Sequence, residues 1–304
     1  MNNQFTSPKG FGEILDHTFR LAKNRFKDFF MIMIILVGPI YLLQAIIQMF
    51  AGTNLFRETG TGGAWYEQIM TSFEDPAYIG ETPSLVGELG AVFVGLLSLI
   101  LLPVAQAAIM YAINHIKFNE EYTVGSVIKR AFSRFWPIIG SSILFGLILF
   151  GLIAVPLIVI TTGGFILSTA NPMLAIGLGI IIFLGSAVGI GFLVTKWSFY
   201  FGSVVIDEEA PGLTRSWHLT FGRTWILMGI FIIFYLIISS VSFGIELTFG
   251  AIFGNSVLFT LIVNLVSLIT TMILSVGYTI MYLDLKTRHD GDDLKEMIEQ
   301  YEIK

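Results

Sequence analysis

Cysteine is absent from the 304 residues. That excludes disulfides, thiolate metal sites and a cysteine nucleophile. Charge is scarce: Asp, Glu, Lys and Arg make up 13% of the chain against 55% apolar residues, and the mean hydropathy is +0.79. A chain of this length usually forms two soluble domains, but no water-soluble core absorbs so much apolar sequence. The alternation over about 10-residue stretches that marks a transmembrane barrel is also missing. So are a Ser-His-Asp order, a metalloprotease motif and a nucleotide-binding loop. The run Gly60–Gly63 lacks the Lys-Ser/Thr ending and the strand–helix setting of a phosphate loop, and reads as linker. Met1–Asp28 is polar and charged where a cleavable signal needs a short basic start and an apolar run, so the first span is expected to stay as an anchor.

What is present is a set of six apolar runs: Phe29–Phe50, Leu89–Ile116, Trp136–Thr162, Met173–Thr195, Trp225–Phe253 and Val257–Tyr282. Each holds roughly 20 residues or more, enough to cross about 30 Å of hydrocarbon as a helix. Lipid offers the backbone no hydrogen bonds, so each run reads as a helix rather than a strand. Of the 17 Lys and Arg residues, only Arg57 falls in a segment reached after an odd number of crossings. Cations are retained on the cytoplasmic side, which predicts a multi-pass protein of the cell membrane with both termini in the cytoplasm. The external loop 51–88 has the opposite balance, Arg57 against Glu58, Glu67, Glu74, Asp75, Glu81 and Glu88. The connections near Gly163–Asn171 and Gly254–Ser256 carry no charge.

A segment of similar design precedes each odd-numbered span: Phe11–Phe30, Tyr122–Ile139 and Pro211–Met228, each mixing aromatic and basic residues. The predicted fold is therefore all-α, one integral membrane domain over 1–304, built as three repeats of an interfacial amphipathic helix plus a helical hairpin. In the first repeat the helix is placed at 11–28, with Phe11, Ile14, Leu15, Ala22 and Phe26 at helical spacing. Arg20, Lys23, Lys129, Arg130, Arg134, Arg215 and Arg223 are candidate contacts for lipid headgroups; plain anchoring of helix ends at the interface fits the same residues. In the tail, 283–304, Leu294, Met297, Ile298 and Tyr301 predict a short amphipathic helix, Asp293–Ile303. Its acidic charge suits the protein's own cytoplasmic face or a protein partner better than anionic lipid.

Glu246 is the one acidic residue inside a predicted span, which makes it a candidate for proton or ligand handling, although its place late in the run also suits the outer interface. Asn264 and Gln106, with Gln44 and Gln48, can contact a substrate or hydrogen-bond between helices. The glycine pairs Gly185/Gly189 and Gly250/Gly254 would permit close helix contact, and Pro39, Pro103, Pro137 and Pro156 can kink spans. His289, Asp290, Asp292 and Asp293 read either as cation ligands or as a turn with a helix cap. Asp207, Glu208 and Glu209 read as a solvated acidic turn. Neither metal nor cofactor is expected. Membrane lipids are the expected partners, and nucleic acid is not.

The stretches Gly12–Leu21 (GEILDHTFRL), Arg215–Trp225 (RSWHLTFGRTW) and Tyr282–Gly291 (YLDLKTRHDG) resemble the membrane domain associated with bacterial glycerophosphoryl diester phosphodiesterases. In the fused enzymes, the resemblance implies, hydrolysis belongs to a soluble barrel domain with metal-binding Glu, Asp and His. The residues after Tyr282 are too few for that domain, so neither its activity nor any catalytic residue is carried over. The expectation is a non-enzymatic accessory, scaffold or sensing subunit of the bacterial envelope. The alternative is a transporter or export component for a lipid-like or peptide substrate, which requires a cavity reaching the midplane and lined by Gln106, Asn264 or Glu246. An enzyme acting on lipids would need polar groups converging at one membrane level, which the sequence does not supply.

Overall fold

The computed structural model describes residues 5, 8–56, 85–169, 171–254 and 256–302, with Ala251 and residues 290–302 described by their backbone alone. Most of the predicted external loop, with the Gly60–Gly63 run, lies outside the described residues. Every regular element among the described residues is helical. Helices α4 (Leu85–Phe118), α6 (Phe135–Ser168), α7 (Pro172–Ser198), α10 (Thr224–Phe253) and α11 (Val257–Glu302) are long and apolar enough to cross a membrane. The first predicted run is not one rod. It divides into α2 (Phe26–Leu36) and α3 (Gly38–Phe50), bent by 47°. Pro39 has no N–H to donate and its ring excludes the carbonyl one turn back, so α2 ends just before it. Pro103 and Pro156 sit inside unbroken helices, and Pro137 sits in the first turn of α6, where no N–H has an intrahelical partner to lose.

Short helices lie directly before three of these segments: α1 (Phe11–Asn24) before α2, α5 (Val124–Ser133) before α6, and α9 (Leu213–Leu219) before α10. The first is shorter than the predicted 11–28, because the chain breaks at Arg25. Its start is fixed by Glu13, whose carboxylate accepts the Gly10 N–H at 2.8 Å. Thr123 and Ser126 cap α5 reciprocally, each hydroxyl accepting the other residue's N–H. Asn171 caps α7 by accepting the N–H groups of Met173 and Leu174, ahead of Pro172 at the first helical position. Past Phe199 the chain continues as α8 (Tyr200–Gly202) and a π-helical turn, Ser203–Asp207. The last helix runs without a break through Glu302, so the expected turn at 289–293 and separate tail helix are replaced by a continuation of α11.

The bundle has two unlike ends. At the base, the N–H of Lys9 reaches Asp284 near the end of the last apolar run, at 2.7 Å. At the distal end, Asn54 and Leu55, just past α3, accept the N–H groups of Val257 and Leu258 at 3.1 and 3.2 Å. The bent pair α2–α3 therefore runs from one end of the bundle to the other. Burial is concentrated toward the base. Val104, Ala105 and every residue from Ala107 to Ile113 of α4 are shut away, the alanines letting neighbouring helices approach. The distal parts of α6 and α7 are exposed instead, with Phe150, Phe165, Ile166 and Met173 each more than two-thirds uncovered. Lipid tails solvate apolar side chains as well as a protein core does, so only the water-facing end is driven to pack.

Gly185 and Gly189 meet no neighbour, contrary to their expected role, and Gly250 makes only an ordinary contact with Phe259. Close approaches fall instead at Gly90, against Ile47, at Gly277, against Phe234, and at Gly202, where a Cβ would lie 2.3 Å from the rigid Tyr282 ring. Gly202→Ala is expected to cost about 1–3 kcal/mol through overpacking. A lowered thermal midpoint in detergent checks this; an unchanged midpoint refutes the packing described.

Candidate functional site

Two buried carboxylates organise the base. Asp284, 5% exposed, accepts the Lys9 N–H at one oxygen and the Arg288 Nε–H at the other, 2.8 Å away. Arg223 approaches it at 3.7 Å, and Arg288 also donates to the Lys9 carbonyl at 2.7 Å. Asp284 thus ties the N-terminal segment, the start of α10 and α11 together. Asp207, its side chain 7% exposed, accepts the Tyr282 hydroxyl at 2.6 Å and pairs with Lys286 and, at 3.5 Å, with Arg215. Next to it, Glu208 adopts a left-handed backbone (φ 61°) and binds Arg134 at 2.6 Å, with Arg130 at 3.8 Å. Arg130 also lies 4.6 Å over the Tyr111 ring. The segment read as a solvated acidic turn is therefore a junction: Asp207 and Glu208 are both paired, and only Glu209 beside them stays exposed without such a pair. Tyr122, before α5, donates to Asp28 of α2 at 3.0 Å; burial and then that carboxylate raise its phenol above the usual range.

This arrangement relocates most of the candidate headgroup contacts. Arg130, Arg134, Arg215 and Arg223 face carboxylates of the protein. Arg20 pairs with Asp16 across one exposed turn at 3.9 Å, while Lys23 and Lys129 stay exposed. Sequence reading missed Lys196, which is buried at the basal end of α7 with its ammonium 4.5 Å over Trp217 and 5.4 Å over Phe221. Its neighbourhood of aromatics in Phe192–Phe221 was a signal for it. His17 is also buried, against Phe5 at 4.8 Å, with neither ring nitrogen hydrogen-bonded among the described residues. Burial first, then Lys9 and Arg20, lowers its pKa to about 4. His289 is half-buried, and the side chains of Asp290, Asp292 and Asp293 lie outside the described residues.

The three intramembrane polar candidates are not brought together. Asn264 donates its amide to Gln44 at 3.0 Å, linking α11 to α3, and Tyr41 lies 3.4 Å from Ser267 just below. Gln106 lines a partly open cavity of about 370 Å³ between α4, α6, α8, α10 and α11. Its wall is apolar and aromatic apart from Gln106, Ser142, Ser198, Ser275 and two tyrosines. Tyr200 donates to Ser142 at 3.3 Å. Tyr278 donates to the Ser198 carbonyl at 2.9 Å and accepts the Gly202 N–H at 3.0 Å, which satisfies the backbone freed where α7 breaks. Glu246 lines a second hollow of about 170 Å³, between α10 and α11, with Ser242, Ser267 and Thr270. Both hollows abut one polar stripe on α11, formed by Thr260, Asn264, Ser267, Thr271 and Ser275 at helical spacing. This stripe was legible in the sequence and was overlooked because the apolar residues around it dominate the run.

These features define a multi-pass membrane protein. Comparison with family models, curated proteins and solved structures finds no match for the chain. Among the described residues no group of three metal-ligating side chains forms.

Two outcomes follow for the base. Asp207→Asn takes this carboxylate from Lys286 and Arg215, their side chains 28% and 26% exposed, and is expected to cost about 1–3 kcal/mol in detergent unfolding; Asp207→Leu combined with Lys286→Met should lose less than the two single changes added, and strict additivity refutes the pair. For His17, the unfolded imidazole titrates near 6.5 and the folded one near 4, so the unfolded state takes up the proton first. The docking of α1 is fully stable above about pH 6.5 and weakens as pH falls toward 4. Hydrogen exchange over Phe11–Asn24 should quicken, after correction for intrinsic rate, between pH 7 and 5 in the native chain and much less in His17→Phe; equal responses refute it.

Proposed function

We propose that this chain is a non-enzymatic, six-span protein of a bacterial cell membrane, with its base and both termini in the cytoplasm, that binds and moves a lipid-like amphiphile. Six crossings are supported by the course of α2–α3 from base to distal end and by five further membrane-length helices. The cytoplasmic base is supported by the distribution of Lys and Arg. The observation that carries the functional reading is the cavity lined by Gln106. It lies inside the bundle, large enough for part of an acyl chain or a headgroup, with a few hydroxyls and one amide in an apolar wall. A purely structural bundle would fill that space with side chains. The distal halves of α6 and α7 pack on each other with their outer apolar faces exposed, a surface along which a substrate would pass into lipid.

The accessory or scaffold reading keeps one supporting observation: α1, α5 and α9 are held on one face by the ion pairs of the base, in a layer able to dock a protein partner. The relation to the phosphodiesterase-associated membrane domain is proposed on the same ground, since two of its three stretches, Arg215–Trp225 and Tyr282–Gly291, meet at Asp284 and Asp207. The repeat reading rests on the recurrence of a short helix before α2, α6 and α10.

Purification in mild detergent followed by native mass spectrometry tests the main proposal. A retained phospholipid is expected, reduced several-fold when Gln106→Leu and Ser275→Leu fill the cavity, together with faster transbilayer movement of a fluorescent phospholipid in proteoliposomes. An empty protein with no movement above protein-free vesicles overturns it. A stoichiometric protein partner in place of lipid would select the accessory reading.

A further inference from the structure

The second hollow lies elsewhere and does not depend on the first. Among the described residues only α10 and α11 line it, and Glu246 is exposed within it. Its depth follows from the helical rise. Glu246 lies twenty-three residues from Arg223 and Thr270 fourteen from Asp284, or about 35 and 21 Å above the ion-paired base at about 1.5 Å per residue. With a hydrocarbon layer of about 30 Å, the carboxylate sits at the distal boundary and the hydroxyls of Ser267 and Thr270 sit below it. Ile245, Val263 and Val266, between the level of the carboxylate and that of these hydroxyls, supply apolar wall. The flanking Phe243, Leu247 and Leu265 are exposed, so the rim faces acyl chains.

The polarity of the groove matches this layering. Glu246 forms no ion pair among the described residues, and a carboxylate at that depth calls for a cation. The nature of the cation follows from the wall. A quaternary ammonium is recognised by aromatic faces, and among the described residues no aromatic side chain lines this groove. A carboxylate with hydroxyl oxygens instead accepts N–H bonds. Thr270 spends its own proton on the Val266 and Ser267 carbonyls, leaving its oxygen to accept. A metal ion would need more ligands than one carboxylate supplies.

We propose that the α10–α11 groove binds a phospholipid of the distal leaflet through its primary ammonium, held by Glu246 with Ser242 and Ser267 beside it and Thr270 beneath. The charge lies at the headgroup level, hydroxyls lie beneath it, and the exposed flanks offer contact to the acyl chains of such a lipid.

The test uses the full chain reconstituted in vesicles with equal parts phosphatidylethanolamine, phosphatidylcholine and phosphatidylglycerol, then extracted gently for native mass spectrometry. The native chain should retain phosphatidylethanolamine at least five-fold over phosphatidylcholine, which differs only in methylation of the nitrogen, and Glu246→Gln should abolish that preference. Excess free ethanolamine should not displace the lipid. Equal retention of the two lipids by the native chain overturns the proposal, and this arm needs no variant to fold. An unchanged preference in Glu246→Gln, or displacement by free ethanolamine, also overturns it. Changes at Gln106 should leave the preference intact, which separates this site from the cavity nearer the base.

Discussion

Everything in this structure depends on where charge can be placed when lipid is the solvent. A backbone within hydrocarbon must satisfy its own hydrogen bonds, and an ionised side chain there is costly. Among the described residues the ion pairs lie at the base and are completed there. Asp284 and Asp207 are buried, yet each meets several donors drawn from different parts of the sequence. Because a stranded buried charge costs far more than a satisfied one returns, these carboxylates act as registration points. They fix how the N-terminal segment, the α7–α8 break, α10 and α11 meet.

The packing follows from the same constraint. Around the base the alanine-rich part of α4 is enclosed, Gly202 lies against the Tyr282 ring, and Tyr278 satisfies the backbone at the α7 break. Toward the distal end that pressure disappears, since a leucine gains little by exchanging lipid for protein. The helices there remain exposed. Polar groups that persist at that level are held by one another, as Asn264 and Gln44 are, or line a hollow, as Glu246 does.

Much of the fold was legible in the residues. Run length locates the starts of the five long helices to within four residues, because hydropathy dominates the free energy of a span. The bend at Pro39 was legible as a candidate, but nothing local distinguishes it from Pro103 or Pro156, which sit in unbroken helices. The charged base was legible only in half. Arg130, Arg134, Arg215 and Arg223 look like headgroup anchors because their partners, Glu208, Asp207 and Asp284, are up to 78 residues away. Ion pairing of that kind is set by the fold and leaves no periodic trace. The tail was misjudged because His289–Asp293 has the composition of a turn, while α11 carries its helix straight through it.

The absence of cysteine makes the central claim directly measurable by single substitutions labelled with a membrane-impermeant maleimide in intact cells. Glu121→Cys, at the base, should be shielded until the membrane is permeabilised, whereas Thr169→Cys, at the distal end, should label at once. The reverse pattern, or equal labelling of both positions in intact cells, would contradict a charged base on the cytoplasmic side of the membrane.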